Sequence, residues 1–291
     1  MKITPYVFAA LMLAAPLYLN SCSVVSQVRS VDVSSIPGLG AVAKAQEGMM
    51  AEYGQSAQLL LKSRIAALEA LQLDAQAIAD AKQAGDEYEK AKSIAAKAKD
   101  MMAGVQAQLT NVQNKPDMDS ISKAIEETKG VDDFVKEANN EMSAIAGNAN
   151  AGIAAQNAKG DKLVLAAMQH VDGANAKIAE SYGLLQDAQM KEAELVLKAT
   201  THSAALVKGM KSASALDKAA LGVQFRPIVY FLTGLPDELT EQETIKSMWQ
   251  EHADTVAGIK LPARKQLPDV KAQAAKAATS VAKSFQSFSF L

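Results

Sequence analysis

Along most of the chain, apolar residues recur at steps of three and four, the spacing that collects them on one face of an α-helix. Leu61, Ile65, Leu68, Ala75 and Ile78 form one such series, continued by Tyr88, Ala91, Ala95, Ala98, Met101, Val105, Leu109 and Val112. Together they predict a helix over about residues 41–113 with a single buried stripe, either unbroken or turning at Gly85-Asp86, where Asp86 and Glu89 have capping spacing. A second series, Leu163, Ala167, His170, Ala174, Ile178, Leu185, Ala188, Glu192, Leu195 and Ala199, predicts a helix over about 162–220. Its polar members, His170 and Glu192, read as the edge of the seam. Between these lies a helix over about 119–158, opened by Pro116 with Asp117 or Asp119 as cap and stopped at Lys159-Gly160-Asp161. No proline interrupts residues 38–115 or 117–226, so long helices joined as antiparallel neighbours are the economical reading.

Composition sharpens that picture. The 291 residues include 55 alanines but only 7 Phe, 6 Tyr and 1 Trp, a balance that favours helices with thin, close seams over a globular enzyme core. The fold class read from the sequence is therefore all-α: long antiparallel alanine-rich helices in a bundle or coiled-coil rod, with a small helical head near the C-terminus. That head is marked by residues 221–252, which contain no alanine yet hold Phe225, Tyr230, Phe231 and Trp249. Residues 226–232 fit either a short helix opened by Pro227 or a strand, and Thr240 with Glu243 has the spacing of a capping box for a helix to about Ala257. Beyond residue 263 the chain is basic: Val270, Ala274, Ala277, Val281, Phe285 and Phe288 share a helical face beside Lys271, Lys276 and Lys283. Such a helix packs as the last member of the bundle or lies on an anionic membrane or in a partner's groove.

The N-terminus carries the most specific signal. Met1-Lys2 is followed by an apolar stretch of 17 residues, Ile3 to Leu19, interrupted by Pro5 and Pro16, and then by Leu19-Asn20-Ser21-Cys22. This arrangement resembles the lipobox signal peptide of bacterial lipoproteins. The resemblance covers about 22 residues and implies that the Cys22 thiol receives a diacylglyceryl group, that the peptide is cut before it, and that the new amino group is acylated. Ser23 is not the aspartate that retains such proteins in the inner membrane of enteric bacteria, so the resemblance implies an outer-membrane location. Residues 23–40, Ser- and Val-rich and ending in Ile36-Pro37-Gly38-Leu39-Gly40, read as a flexible tether with an end-to-end distance of roughly 25 Å. The organisation expected is thus a signal peptide (1–21), tether (22–40), long-helix bundle (41–220), aromatic-containing head (221–262) and basic C-terminal helix (263–291).

Candidate chemistry is sparse. His170 and His202 lie 32 residues apart, on the order of 48 Å along one helix, and neither belongs to an HExxH or Glu-x-x-His pair. No GxGxxG or GxxxxGK[ST] loop is present, Ser203 beside His202 points away from it, and the methionine pairs Met49-Met50 and Met101-Met102 lack soft-metal spacing. A net charge of −2 gives no nucleic-acid footprint. The expectation is a non-enzyme with no cofactor and no metal. The resemblance implies a palmitate-bearing envelope lipoprotein, held to the membrane through Cys22, and the role expected of it is structural, scaffolding or interaction, meeting another envelope protein or its own copies. The alternative is a binding module or carrier for an apolar ligand or lipid. Candidate surfaces for either are Phe225, Tyr230, Phe231, Trp249, Phe285 and Phe288.

Overall fold

The computed structural model describes residues 39–114, 131–212 and 225–286, and among them there is helix and no strand. The elements are α1 (Leu39–Asn114), α2 (Val131–Ser212), α3 (Arg226–Gly258) and α4 (Val270–Gln286). The signal peptide, Cys22, the tether up to residue 38, the Pro116 cap region and Phe288 lie outside the described residues; Leu39 and Gly40, expected to end the tether in a turn, instead open α1, where Leu39 is buried.

Helix α1 runs for 76 residues without a break, so Gly85-Asp86 is not a turn. Helix α2 runs for 82 residues straight through Lys159-Gly160-Asp161, where the sequence suggested a stop. The reason is packing. Gly160 lies beneath the ring of Tyr88, so close that a Cβ there would stand 2.4 Å from Tyr88 Cε1. Asp161, read as a cap, instead accepts a 2.8 Å hydrogen bond from the Tyr88 hydroxyl. This glycine supplies close approach rather than a helix end. In α3, the segment with helix or strand as alternatives is helical from Arg226, and the backbone stays helical through Pro236 and Thr240 to Gly258, so Thr240 does not begin a helix. Asp269 caps α4, its Oδ1 accepting from the backbone N–H groups of Lys271 (2.9 Å) and Ala272 (3.2 Å).

The buried face of α1 follows a repeat of 3.5 residues. Ser56, Leu60, Ser63, Ala67, Ala70, Asp74, Ala77, Ala81, Ala84, Tyr88, Ala91, Ala95, Ala98, Met102 and Val105 alternate steps of four and three, and every one is buried. This is the period of a coiled-coil seam. Eight of these positions are alanine, which lets the partner helix approach toward the close end of the usual interaxial range. The expected stripe holds from Tyr88 to Val105, except that Met102 replaces Met101, which is exposed; the side chains of Leu109 and Val112 are not among those described. It fails before Tyr88: Leu61, Ile65, Leu68 and Ile78 are 39–48% exposed, and Ala75 is exposed as well. Here Leu61, Ile65, Leu68 and Ile78 point outward while Ser63, Ala67, Ala70 and Ala77 point in, and Leu60 is the large aliphatic side chain that this part of the seam buries. In α2, Ala167, Ala174, Leu185, Ala188, Leu195 and Ala199 are buried as the spacing predicts.

The chain forms two compact units. In the first (residues up to Glu69, and Lys177–Gln250), α1 and α2 run antiparallel. Partners move up one helix as they move down the other: Glu52 with Lys198, Ser56 with Glu192, Ser63 with Ser181. Helix α3 lies against both through Leu60, Leu185, Ala188 and Ile245, with Trp249 at the margin. A second cluster joins Leu39, Val42, Met49, Leu195, Leu206, Phe225 and Ile228. In the second unit (Ala70–Ala176, and Glu251 onward) the same antiparallel order pairs Asp80 with His170, Tyr88 with Asp161, and Ile94 with Gly152. Val270 and Ala274 of α4 are buried there among Met102, Val105, Ala138, Met142 and Ala146, so the basic C-terminal helix packs as part of this unit along that face.

Candidate functional site

Two buried polar clusters stand out against these alanine seams, one in each unit. In the first unit the seam admits hydroxyl and carboxyl groups where α3 comes in. Ser63 Oγ donates to the Ser181 carbonyl at 2.7 Å, and Trp249 Nε1 donates to Ser181 Oγ at 2.9 Å, with the Tyr182 ring 5.4 Å from that of Trp249. One turn and more away, Glu192 is 7% exposed, so it lies in the seam and not at its edge. Its Oε1 accepts from Ser56 Oγ at 3.1 Å and its Oε2 from Gln242 Nε2 at 2.6 Å; Gln242 is itself held by Gln189 Nε2 at 2.8 Å. Glu238 is buried beside it, turning its carboxyl toward Glu192 and the Tyr53 hydroxyl, yet neither of its oxygens makes a hydrogen bond of ordinary length. Burial raises the Glu192 carboxyl despite the two donors. Burial, and then the neighbouring Glu192 charge, push Glu238 up to about 7.

In the second unit, Asp74 and His252 are buried together. His252 Nδ1 is 2.8 Å from Asp74 Oδ2 and its Nε2 is 3.0 Å from Asn175 Oδ1. A ring flanked by two oxygen acceptors donates from both nitrogens when protonated; with the Asn175 amide reversed it donates once and accepts once. Nearby, Asp161 is held below the usual carboxylate range by the Tyr88 hydroxyl and then by Arg264, and Glu89 likewise by Lys265. These two ion pairs fasten the extended segment that leads into α4.

No group of three or more His, Cys, Asp or Glu side chains suited to a metal ion occurs among the described residues. What the two arrangements have in common is polar side chains buried between helices and joined across them by hydrogen bonds.

Of the residues singled out from sequence, Phe225 is 1% exposed and belongs to the Leu39 cluster, while Trp249 belongs to the Leu60 cluster, so the structure does not gather them on one surface. Tyr230, Phe231 and Phe285 lie within α3 and α4 by backbone; Cys22 and Phe288 are outside the described residues. His170 is partly buried and 3.4 Å from Asp80. Sequence reasoning passed over Asp74 and His252, and it assigns the Asp237-Glu238 pair to a solvated helix face or helix start, whereas Glu238 is only 8% exposed. Asp74 alone carried a signal, as a charged residue on the same 3.5-residue series as Ala67, Ala70, Ala77 and Ala81. No protein-family model matches the chain, and neither curated proteins nor solved structures yield a match.

Proposed function

We propose that this chain is a bacterial lipoprotein, acylated on Cys22 and anchored in the outer membrane, whose helical body serves as a scaffold or docking element for another envelope protein and performs no catalysis. The observation that carries this reading is Leu19-Asn20-Ser21-Cys22 placed directly after a short apolar stretch behind Lys2. Among the described residues no helix is long and apolar enough to cross a membrane; in this reading attachment rests on acyl chains, each worth ~0.8 kcal/mol per buried CH₂. A docking role draws support from the long helices and from the large side chains they leave uncovered: Leu61, Ile65 and Leu68 on α1, and Met190 and Leu197, 61% and 70% exposed, on α2.

Metabolic labelling with palmitate tests the anchor. Wild-type chain takes up label and sediments with outer membranes, whereas Cys22→Ser does neither; equal labelling of the two overturns the proposal.

A further inference from the structure

The donors around the two buried glutamates are distributed unequally. Both oxygens of Glu192 accept hydrogen bonds, from Ser56 and Gln242, as a carboxylate does. Neither oxygen of Glu238 has a donor at ordinary distance, although its side chain is buried and turned toward Glu192. Two carboxylates cannot both stay ionised side by side away from water, so the pair holds one proton, and the donor pattern places it on Glu238.

Among the described residues no cation bonds to either carboxyl. From α1 the pair faces Tyr53 and Ser56, from α2 Gln189, and from α3 Gln242. Cations nearby in sequence on these elements are engaged with other groups: Lys191 with Gln55, Lys198 with Glu52, Arg64 with Glu241 and Lys246 with Glu243. Glu238 lies on α3 and Glu192 on α2, so a second negative charge would push apart two helices that Ile245, Leu185 and Leu60 hold together a few turns away.

We propose that Glu192 and Glu238 form a proton-operated latch within the first unit, in which α3 is docked on α1 and α2 while Glu238 is protonated and is loosened over residues 237–245 when that proton passes to solvent. The docked helix keeps the Glu238 proton up to about pH 7, against an ordinary glutamate value of 4.5 once the helix is loose. The docked form therefore binds more protons than the loosened form between these values. Docking is strongest in acid and weakens as pH rises through neutrality. With those two values the equilibrium constant for loosening rises about 70-fold between pH 5 and pH 8.

Hydrogen–deuterium exchange of the intact chain, corrected for intrinsic rates, reads this directly. Peptides covering residues 237–250 are expected to lose protection by one to two orders of magnitude from pH 5 to pH 8, while those covering 91–105 in the other unit do not follow. Glu238→Gln keeps a hydrogen-bonding neutral group and flattens the profile; His252→Gln, a change in the buried cluster of the other unit, leaves it in place. A profile already flat in the wild type, or one that survives Glu238→Gln, overturns the latch. Carbon-13 titration of the glutamate side chains in the wild-type chain gives a second reading, independent of any variant. One carboxyl titrating near pH 7 is expected, and all carboxyls titrating below pH 5.5 would overturn the proposal.

Discussion

Replacing Gly160 by alanine reverses the usual benefit of that change in a helix. In an open helical position Gly→Ala stabilises by roughly 0.5–1 kcal/mol, because alanine loses less backbone freedom on folding. At Gly160 the new methyl would stand 2.4, 2.8 and 2.9 Å from Tyr88 Cε1, Cδ1 and Cζ. Carbon atoms at rest sit about 3.5–4 Å apart, so the ring must retreat by about 1 Å. It has little room to do so. Tyr88 is 6% exposed and its hydroxyl is tied to Asp161. Overpacking of this kind costs about 1–3 kcal/mol, and the propensity gain offsets part of it, leaving Gly160→Ala less stable by about 1–2 kcal/mol. Gly147, on the same helix and in the same unit, has nothing within 4 Å of where its Cβ would be. Gly147→Ala is therefore expected to be neutral or stabilising by up to ~1 kcal/mol. Urea unfolding followed by far-ultraviolet circular dichroism separates the two variants. Measured in a Tyr88→Ala background, the cost of Gly160→Ala should largely disappear, as it does for a coupled pair. If Gly160→Ala is as stable as Gly147→Ala, the close contact is wrong and the continuity of α2 at residue 160 needs another cause.

Other outcomes follow from the buried groups and from α4. Glu238→Gln should stabilise the first unit at pH 8 by up to ~3 kcal/mol, from a carboxyl raised from 4.5 to about 7, and by little at pH 4.5; equal gains at both pH values in urea titrations contradict this. Asp74→Ala leaves the buried His252 ring without its 2.8 Å hydrogen-bond partner and is expected to cost about 1–3 kcal/mol, whereas an unchanged urea midpoint would show that this contact contributes nothing. Deleting residues 269–291 uncovers Met102, Val105 and Met142 and removes Val270, which is 2% exposed. The urea midpoint should fall by the equivalent of about 2–4 kcal/mol, at ~1.5–3 kcal/mol for a buried valine plus the surface laid bare; an unchanged curve would refute the packing of α4.

How much of this was legible in the sequence varied with the size of the side chains. Proline spacing and alanine content were enough for the long antiparallel helices, and α2's stripe followed its apolar spacing. The first half of α1 misled because burial was expected of Leu61, Ile65 and Leu68 on grounds of hydrophobicity, while a close seam selects the smallest residues, Ser56, Ser63, Ala67 and Ala70. Position in the 3.5-residue series, not hydrophobicity, decided which face went in. Gly160 was misread because a glycine that ends a helix and one that admits an aromatic ring look alike until Tyr88, 72 positions earlier, is known to lie on it. The polar clusters depend on α3, whose register against α1 and α2 is a matter of long-range packing; neither the pairing of Glu192 with Glu238 nor that of Asp74 with His252 has a local signature.

The central structural claim is the register in which small side chains of α1 meet small side chains of an antiparallel α2 while the larger ones face out. Ser63 and Ser181 lie opposite one another in that register, their Oγ atoms 3.0 Å apart. In a Cys22→Ser background, Ser63→Cys with Ser181→Cys should therefore oxidise readily and quantitatively to an intramolecular disulfide, seen as a faster-migrating band under non-reducing conditions and as a loss of two mass units. Leu61→Cys with Ser181→Cys, which puts one thiol on the outward face, should remain reduced under the same conditions. Efficient closure of the Leu61 pair together with failure of the Ser63 pair would contradict the seam and return the large aliphatic residues to the interior.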